Sequence, residues 1–316
     1  MTGASQAPEL EAVVVTWNTR ELMAECLRSL FANPPGRSFQ VTVVDNGSAD
    51  GESELVRRDW PQVRLIRNQV NEGFTRANNR AIRQSRARYL LLINADAMVT
   101  PGCLDGLLGC LDADPRAAVA GPRLAYADGA FQRWTAGREP GLGPALVHHL
   151  ALDRLLPGLA RRGLYLGRDL KEAVQVDWVS SACLLVRRSA LDEIGLLDER
   201  IFTYMDDVDA CRRLRAAGWS VWYWPAAQAV HYMGQSVRRL TGNVSPAAVR
   251  SFHDYFRRRH GRAALAGLRA IEAVGFGGRA AAFRLAQLVR RDPGLSDRAR
   301  AHWTYFKLAL ERGQRA

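Results

Sequence analysis

The apolar residues of this chain fall into short continuous runs separated by amphipathic stretches. Residues 12–16 (AVVVT) are a β-branched run, the mark of a strand buried on both faces. Leu22, Cys26, Leu27 and Leu30 follow on one helical face. QVTVVDNGSADG (40–51) predicts a strand ending in a turn rich in Asp, Asn, Gly and Ser. A helix over Glu52–Arg58, a strand VRLIRN (63–68), a helix near Thr75–Ser85 and the apolar strand RYLLLINADA (88–97) continue the alternation. Strand and helix in turn predict a parallel α/β sheet with right-handed crossovers, whose ligands sit at the carboxyl ends of the strands. Three of those ends carry polar clusters: Thr16-Trp17-Asn18, Asp45-Asn46-Gly47-Ser48 and Asn94-Ala95-Asp96.

Further along, a helix is expected over residues 101–113, opening at Pro101, then a strand and an edge hairpin over 117–135. Residues 137–175 are rich in Gly, Pro and Arg with a Leu-rich stretch, which suits a lid or an acceptor-side insertion. A second ordered block follows: strand VDWVSSACLLVRR (176–188), helix SALDEIG (189–195), an acidic turn at Tyr204–Asp209, helix VDACRRLRAAG (208–218) and strand SVWYWP (220–225). Residues 245–316 have helical patterning. The expected division is residues 1–240 as one α/β domain and 241–316 as a helical extension.

Composition adds a location for the charge. The 316 residues carry a net charge of +12. Residues 237–316 hold 17 of the 44 Arg and Lys and 5 of the 32 Asp and Glu, so that quarter accounts for the whole excess and the first 236 residues are net neutral. A nucleic-acid-binding protein would explain the basic end but not a neutral α/β domain with acids at its strand ends, and no nucleic-acid partner is expected. Leu265, Leu268, Ile271 and Val274 make the basic region amphipathic. Two readings stay open for it: peripheral contact with an anionic membrane surface, or a helical pair packed on the catalytic domain or in a homodimer. Neither a secretory signal nor an apolar run of spanning length is evident, so the expected location is the cytoplasm, with the inner face of the cell membrane as its refinement. The five cysteines form no CxxC pair and are expected to be reduced and mostly buried.

Several side chains could carry chemistry. Asp45, at a strand end before a Gly-Ser turn, could accept hydrogen bonds from a base imide or a ribose hydroxyl, or could close an Asx-turn. Asp96 follows the most apolar strand, where a carboxylate suits a divalent cation bridging two phosphates, or a turn or cap before Pro101. Asp206, Asp207 and Asp209 crowd into four residues, which is costly unless a cation, an Arg or a proton relieves the repulsion. One could be a general base, and capping of the following helix is the competing use. His231 could ligate a metal or serve as a structural donor. Ser236, Arg238 and Arg239 could grip a diphosphate or form a solvated basic loop. The absence of GxGxxG and P-loop sequences argues against dinucleotide or NTPase sites, and the missing GxSxG weakens a hydrolase reading.

Together, VVVTWN (13–18), VVDNGSADG (43–51), NEGFTRANN (71–79), YLLLINADA (89–97), DWVSSACLLVRR (177–188), IGLLDERIFTYMDDVDACRRLRAAGW (194–219) and AVHYMGQS (229–236) resemble family-2 glycosyltransferases of the GT-A fold. The branch most resembled contains rhamnosyltransferases of bacterial cell-surface glycan assembly. The resemblance implies a mixed, mostly parallel Rossmann-like sheet flanked by helices and an inverting transfer of a sugar from a nucleotide-diphosphate donor to an acceptor hydroxyl. It implies that Asp45 holds the nucleobase with Thr16 and Asn18 lining the pocket, that Asn71 and Asn78 lie on the donor side, and that Asn94 and Asp96 stand at the outer positions of a DxD-like motif. Asp96 and His231 would then bind Mg²⁺ or Mn²⁺, with Arg238 or Arg239 on the diphosphate. Asp207 would be the catalytic base, Asp206 its neighbouring acid, and Trp178 an aromatic at the acceptor site. The implied donor is dTDP-rhamnose, then a UDP-hexose, and the acceptor a glycan, a lipid-linked glycan or a small molecule. An inactive sugar-nucleotide-binding or scaffold protein of the same fold is the alternative. Asn94 in place of Asp leaves the metal site one charge short, and Ser181 and Asp206 stand where the family has Gly and Glu.

Overall fold

A computed structural model of the chain describes residues 7–159, 161–232, 245–290 and 292–311. It divides into two units: Met1–Gly137 with Asp169–Ser236, and Arg138–Arg168 with Val237–Ala316.

The strands of the first unit are β1 (Leu10–Thr16), β2 (Phe39–Asp45), β3 (Arg64–Arg67), β4 (Tyr89–Asn94), β5 (Ala97–Val99), β6 (Ala117–Ala125), β7 (Ala136–Gly137), β8 (Val174–Gln175), β9 (Trp178–Val179), β10 (Cys183–Arg187) and β11 (Ser220–His231). The α-helices among the described residues, in order, are α1 (Arg20–Ala32), α2 (Glu52–Asp59), α3 (Phe74–Gln84), α4 (Cys103–Ala113), α5 (Leu142–His149), α6 (Leu152–Leu155), α7 (Arg188–Glu193), α8 (Asp206–Ala216), α9 (Pro246–Val289) and α10 (Pro293–Leu310). The main sheet runs β3-β2-β1-β4-β10-β6-β11-β5, with β8 also paired to β11. β3, β2, β1 and β4 are parallel, as is the β6–β11 pair, while β10, β5 and β8 run antiparallel to their neighbours. This is the mixed, mostly parallel α/β fold that the family resemblance implies, and the alternation of apolar runs predicted its parallel part.

The core explains why the parallel strands read as continuous apolar runs. Val13 and Val14 of β1 and Leu90, Leu91 and Ile93 of β4 are all at most 1% exposed, because helices cover both faces of this part of the sheet. Met23, Cys26, Leu27 and Leu30 of α1 pack into one cluster with Val14, Leu91 and Ile93. Each such side chain contributes roughly 1.5–3 kcal/mol on burial. All five cysteines are free and buried. No described helix is long and apolar enough to cross a membrane.

Several boundaries differ from the sequence expectation. The run 176–188 is not one strand: Ser180 accepts a turn bond from the Cys183 N–H at 3.3 Å and its Oγ accepts from the Ala182 N–H at 3.2 Å. That local bonding breaks the run into β9, paired with β7, and β10, in the main sheet. Conversely, β11 does not stop at Pro225 but continues to His231, absorbing the missing proline N–H in a register shift between Trp224 and Gln228. Helix α8 starts at Asp206 rather than Val208. Residues 138–168, expected within the α/β domain, belong to the second unit and contribute α5 and α6.

The second unit is helical. Its core gathers Ala145, Leu164, Phe256, Leu265 and Leu268. The helical run α9 is interrupted at Gly261, whose φ of 85° is left-handed. Buried His253 and Glu272 pair at 2.6 Å, and burial helped by nearby Arg279 and His253 pushes His149 down to about 3.

Candidate active site

The sheet lines up the first set of predicted residues across neighbouring strands. Thr16 of β1 is in register with Asp45 of β2, and Val15 with Asn94 of β4. At about 4.8 Å per strand, Asp45 and Asn94 are on the order of 10 Å apart along the carboxyl edge.

Asp45 is 1% exposed. Its Oδ1 accepts the Ser48 N–H at 2.8 Å, closing an Asx-turn, and its Oδ2 accepts the Ser53 hydroxyl. The Arg67 guanidinium lies 3.8 Å from Oδ2. Asn18, at φ 52°, binds the same turn: its N–H donates to Ser48 Oγ at 3.0 Å and its Oδ1 accepts the Ala49 N–H at 2.9 Å. Buried Glu52 joins the two loops by accepting from the Thr19 N–H and from Ser48 Oγ. Burial raises its proton affinity, opposed by the hydrogen bonds from Ser48, Thr19 and Thr16. Sequence reasoning did not single out Glu52; its place four residues after Ser48, at a helix start, is the signal that was there.

Asn71 and Asn78 are brought to this edge by the loop entering α3. Asn71 Oδ1 accepts from Asn46 Nδ2 and from the Gly73 N–H, each at 2.9 Å. Asn78 is fully buried; its Nδ2 donates to the Phe74 carbonyl at 2.9 Å, while its Oδ1 has no partner. Gly73 must be glycine twice over: its φ is 86°, and a Cβ would stand 2.7 Å from the Phe202 ring and carbonyl oxygen. Phe74 donates its N–H to the Phe202 carbonyl at 2.7 Å, and Asn79 exchanges two hydrogen bonds with the Leu197 backbone. The segment leading to the acidic helix is thereby held against α3.

Asp96 and His231 meet across the antiparallel β5–β11 pair, where His231 is in register with Ala97 and the Tyr232 N–H donates to the Asp96 carbonyl at 2.9 Å. Their side chains converge, with His231 Nε2 3.3 Å from Asp96 Oδ1. Two donor atoms about 2.1 Å from one octahedral cation, at right angles, lie about 3 Å apart, so the pair fits cis ligands of such an ion. Among the described residues no group of three or more His, Cys, Asp or Glu side chains forms a metal cage. A two-residue site leaves coordination positions for water and phosphate oxygens, as magnesium sites commonly do. Gln132, not foreseen from sequence, packs behind His231 with its Oε1 3.1 Å from Nδ1.

Asp206 and Asp207 form the first turn of α8, after two left-handed residues, Tyr204 (φ 61°) and Met205 (φ 66°). Such conformations cost on the order of 1 kcal/mol or more each and tend to be kept at functional sites. Asp207 Oδ2 accepts the Ser181 N–H at 3.1 Å and Oδ1 the Val208 N–H at 2.8 Å. Asp206 is 5% exposed, whereas Asp207 is half-buried. Burial and then the neighbouring Asp207 charge push Asp206 up to about 7, and burial raises Asp207 as well. Asp209 is taken by Arg213 at 2.7 Å and Arg212 at 3.2 Å. The acids adjoin the strand edge through Ala182, next to Ser181, whose carbonyl accepts the Asn94 N–H at 3.0 Å.

Trp178 departs from expectation. It is 5% exposed, paired to Gly137 in the β7–β9 ladder, so its ring presents little face for a sugar to stack on. Ser236, Arg238 and Arg239 lie outside the described residues.

Residues 11–195 match the family model described as glycosyl transferase family 2. The N-acetylglucosaminyl-diphospho-decaprenol L-rhamnosyltransferase of Mycobacterium tuberculosis is 32% identical over 79% of this chain and 85% of its own length. Among solved structures, the mannosyltransferase PcManGT from Pyrobaculum calidifontis, in complex with GDP-Man and Mn²⁺, superposes with a TM-score of 0.62 at 17% identity, covering 96% of this chain and 86% of that one. GalNAc-T7 with UDP, GalNAc and Mn²⁺ gives 0.55 at 14% identity, over 78% and 48% of the two chains. Both are likenesses of fold.

Proposed function

The chain belongs to glycosyl transferase family 2 and is a glycosyltransferase, and from that premise we propose an inverting enzyme that transfers a deoxyhexose or hexose from a nucleotide-diphosphate donor to an acceptor hydroxyl. The observation that carries this reading is the acid pair at the start of α8: raised proton affinity on a helix start, with Asp207 open enough to reach an acceptor and Asp206 buried behind it.

Asp207 takes the acceptor proton as the hydroxyl oxygen bonds to the anomeric carbon, and the bond from that carbon to the diphosphate oxygen breaks on the opposite face. The Ser181 and Val208 amides fix the carboxylate's direction while leaving lone pairs for the proton. Asp45, Thr16 and Asn18 receive the nucleoside, with Asn71 and Asn78 on the donor side. Asp96 and His231, with Asn94 beside them, would hold Mg²⁺ or Mn²⁺. A divalent cation there supplies positive charge against the departing diphosphate. Arg238 and Arg239 are proposed as further cationic support.

The L-rhamnosyl group in the relative's name favours dTDP-rhamnose as donor, with UDP-hexoses second, and its diphospho-decaprenol acceptor favours a lipid-linked glycan in cell-surface assembly. Such an acceptor suits an enzyme at the inner face of the membrane, and the basic C-terminal helices are the proposed contact. The test is transfer from dTDP-rhamnose to an N-acetylglucosaminyl-diphospho-lipid, with the product's anomeric configuration read by NMR. The expected product is inverted, and Asp207→Asn lowers kcat by on the order of 10²–10⁴-fold with the fold intact. Retention of configuration, or near-full kcat in the variant, contradicts the assignment.

A further inference from the structure

Gln132 is fully buried, and every polar atom of its side chain is engaged around His231. It arrives there because the chain turns back after β6: Tyr126 accepts the Gly129 N–H and donates its own to Ala130, and the Gln132 N–H donates to the Leu124 carbonyl at 2.9 Å. The side-chain Nε2 donates to the Ala125 carbonyl at 3.2 Å and to the His231 carbonyl. Its Oε1 faces His231 Nδ1 at 3.1 Å.

These partners leave one orientation of the amide. Turned over, its oxygen would face two carbonyl oxygens and its NH₂ would face the ring, leaving both carbonyls without a donor. With Oε1 fixed toward the ring, Nδ1 must be the donor. The neutral imidazole carries one N–H, so Nε2 then holds a lone pair, and Nε2 is the atom directed at Asp96.

We propose that Gln132 is a positioning residue for the metal site: it selects the Nδ1–H tautomer of His231 and fixes the ring so that the Nε2 lone pair and the Asp96 carboxylate converge on one divalent cation. This rests on the assignment of Asp96 and His231 as metal ligands. Gln132 touches neither substrate nor cation and acts through the ring alone. A ring freed from Gln132 could carry its proton on Nε2, donate it to Asp96, and so lock the two would-be ligands to each other. The tie to two carbonyls makes the glutamine amide better suited than a carboxylate, which would be repelled by both.

The full chain, labelled with ¹⁵N in its histidines, tests this by long-range ¹H–¹⁵N spectra at a pH well above the ordinary imidazole range. The His231 signals are assigned by their loss in His231→Ala. The expected wild-type spectrum, without metal, shows Nδ1 protonated and Nε2 bare; in Gln132→Met the proton moves to Nε2 or exchanges between the two. Binding of Mn²⁺ alone, followed by the electron paramagnetic resonance of the free ion, is expected to weaken about 10- to 100-fold in Gln132→Met. An Nε2–H tautomer in the wild type overturns the proposal and does not depend on any variant folding. Unchanged tautomer and Mn²⁺ affinity in Gln132→Met overturn it as well, while the loss of affinity in His231→Ala would leave the metal-site reading standing. If His231→Ala also binds Mn²⁺ as the wild type does, the metal-site reading itself fails, and this inference with it.

Discussion

Asp206 and Asp207 place two carboxyls on one helix turn, and their environments differ. Asp206 is the more enclosed, and its proton is held up to about 7 by burial and by the Asp207 charge. A raised folded-state value means the folded chain holds more protons than the unfolded one between the ordinary carboxyl value of 3.8 and about 7. Stability therefore falls as pH rises through that window, and the full cost is present above it. Asp206→Asn is expected to raise the melting temperature at pH 8, by a gain of at most a few kcal/mol, and to leave it unchanged near pH 4. A gain of equal size at both pH values in thermal unfolding would mean that the charge is not its source. At this scale much was legible in the sequence. The crowding of three acids signalled a relieved repulsion, without saying which acid is relieved by what; Arg212 and Arg213 relieve it at Asp209. Gln132 was not legible, because its importance exists only once a hairpin folds back onto a strand 99 residues downstream.

At the scale of elements, the site is assembled by backbone clamps more than by side chains aimed at a ligand. The loop into α3 is threaded against the Phe202 backbone, and Thr75 donates its hydroxyl to the Ile201 carbonyl at 2.5 Å. Gly73→Ala adds a Cβ where φ is 86° and where backbone and ring atoms already stand 2.7 Å away. It is expected to cost more than about 1 kcal/mol, lowering the melting temperature on the order of 2 °C or more, and to slow transfer because the segment before Asp206 loses its anchor. An unchanged melting curve would show that the clamp has no energetic weight. The strand–helix alternation over residues 12–97 could be read from apolar periodicity because its central strands, β1 and β4, are buried on both faces, whereas the edge strand β3 is only half-buried. The break at Ser180-Ser181 and the extension of β11 through Pro225 could not, since one depends on a side-chain-capped turn and the other on a register shift. The sequence singled out Asn71 and Asn78 but not their local bonding: Asn71 and Asn79 tie backbone, and Asn78 keeps an unpartnered oxygen.

For the whole molecule, the charge is divided between the units: the α/β unit carries a net −3 and the helical unit a net +15. In the helical unit, Leu285, Leu288 and Val289 near the end of α9 are 64%, 83% and 87% exposed, apolar positions in an Arg-rich region. The membrane reading predicts that the full chain sediments with vesicles containing anionic lipid and not with zwitterionic ones, and that Leu288→Asp with Val289→Asp reduces pelleting several-fold. Equal pelleting with both vesicle types, or dimer dissociation by the same variant in sedimentation velocity, would favour a subunit interface instead. The central claim concerns the other unit: one edge of one sheet holds a nucleotide sugar between Asp45 and the Asp96–His231 pair. Calorimetric titration of the full chain with a panel of dTDP-rhamnose and UDP-hexoses, with and without Mn²⁺, tests it most directly. The account predicts saturable binding of at least one of these donors that Mn²⁺ strengthens, that Asp45→Ala and Asp96→Asn each weaken at least tenfold, and that Asp207→Asn leaves nearly unchanged. Failure of every donor to bind, or binding indifferent to Asp45 and Asp96, would contradict it.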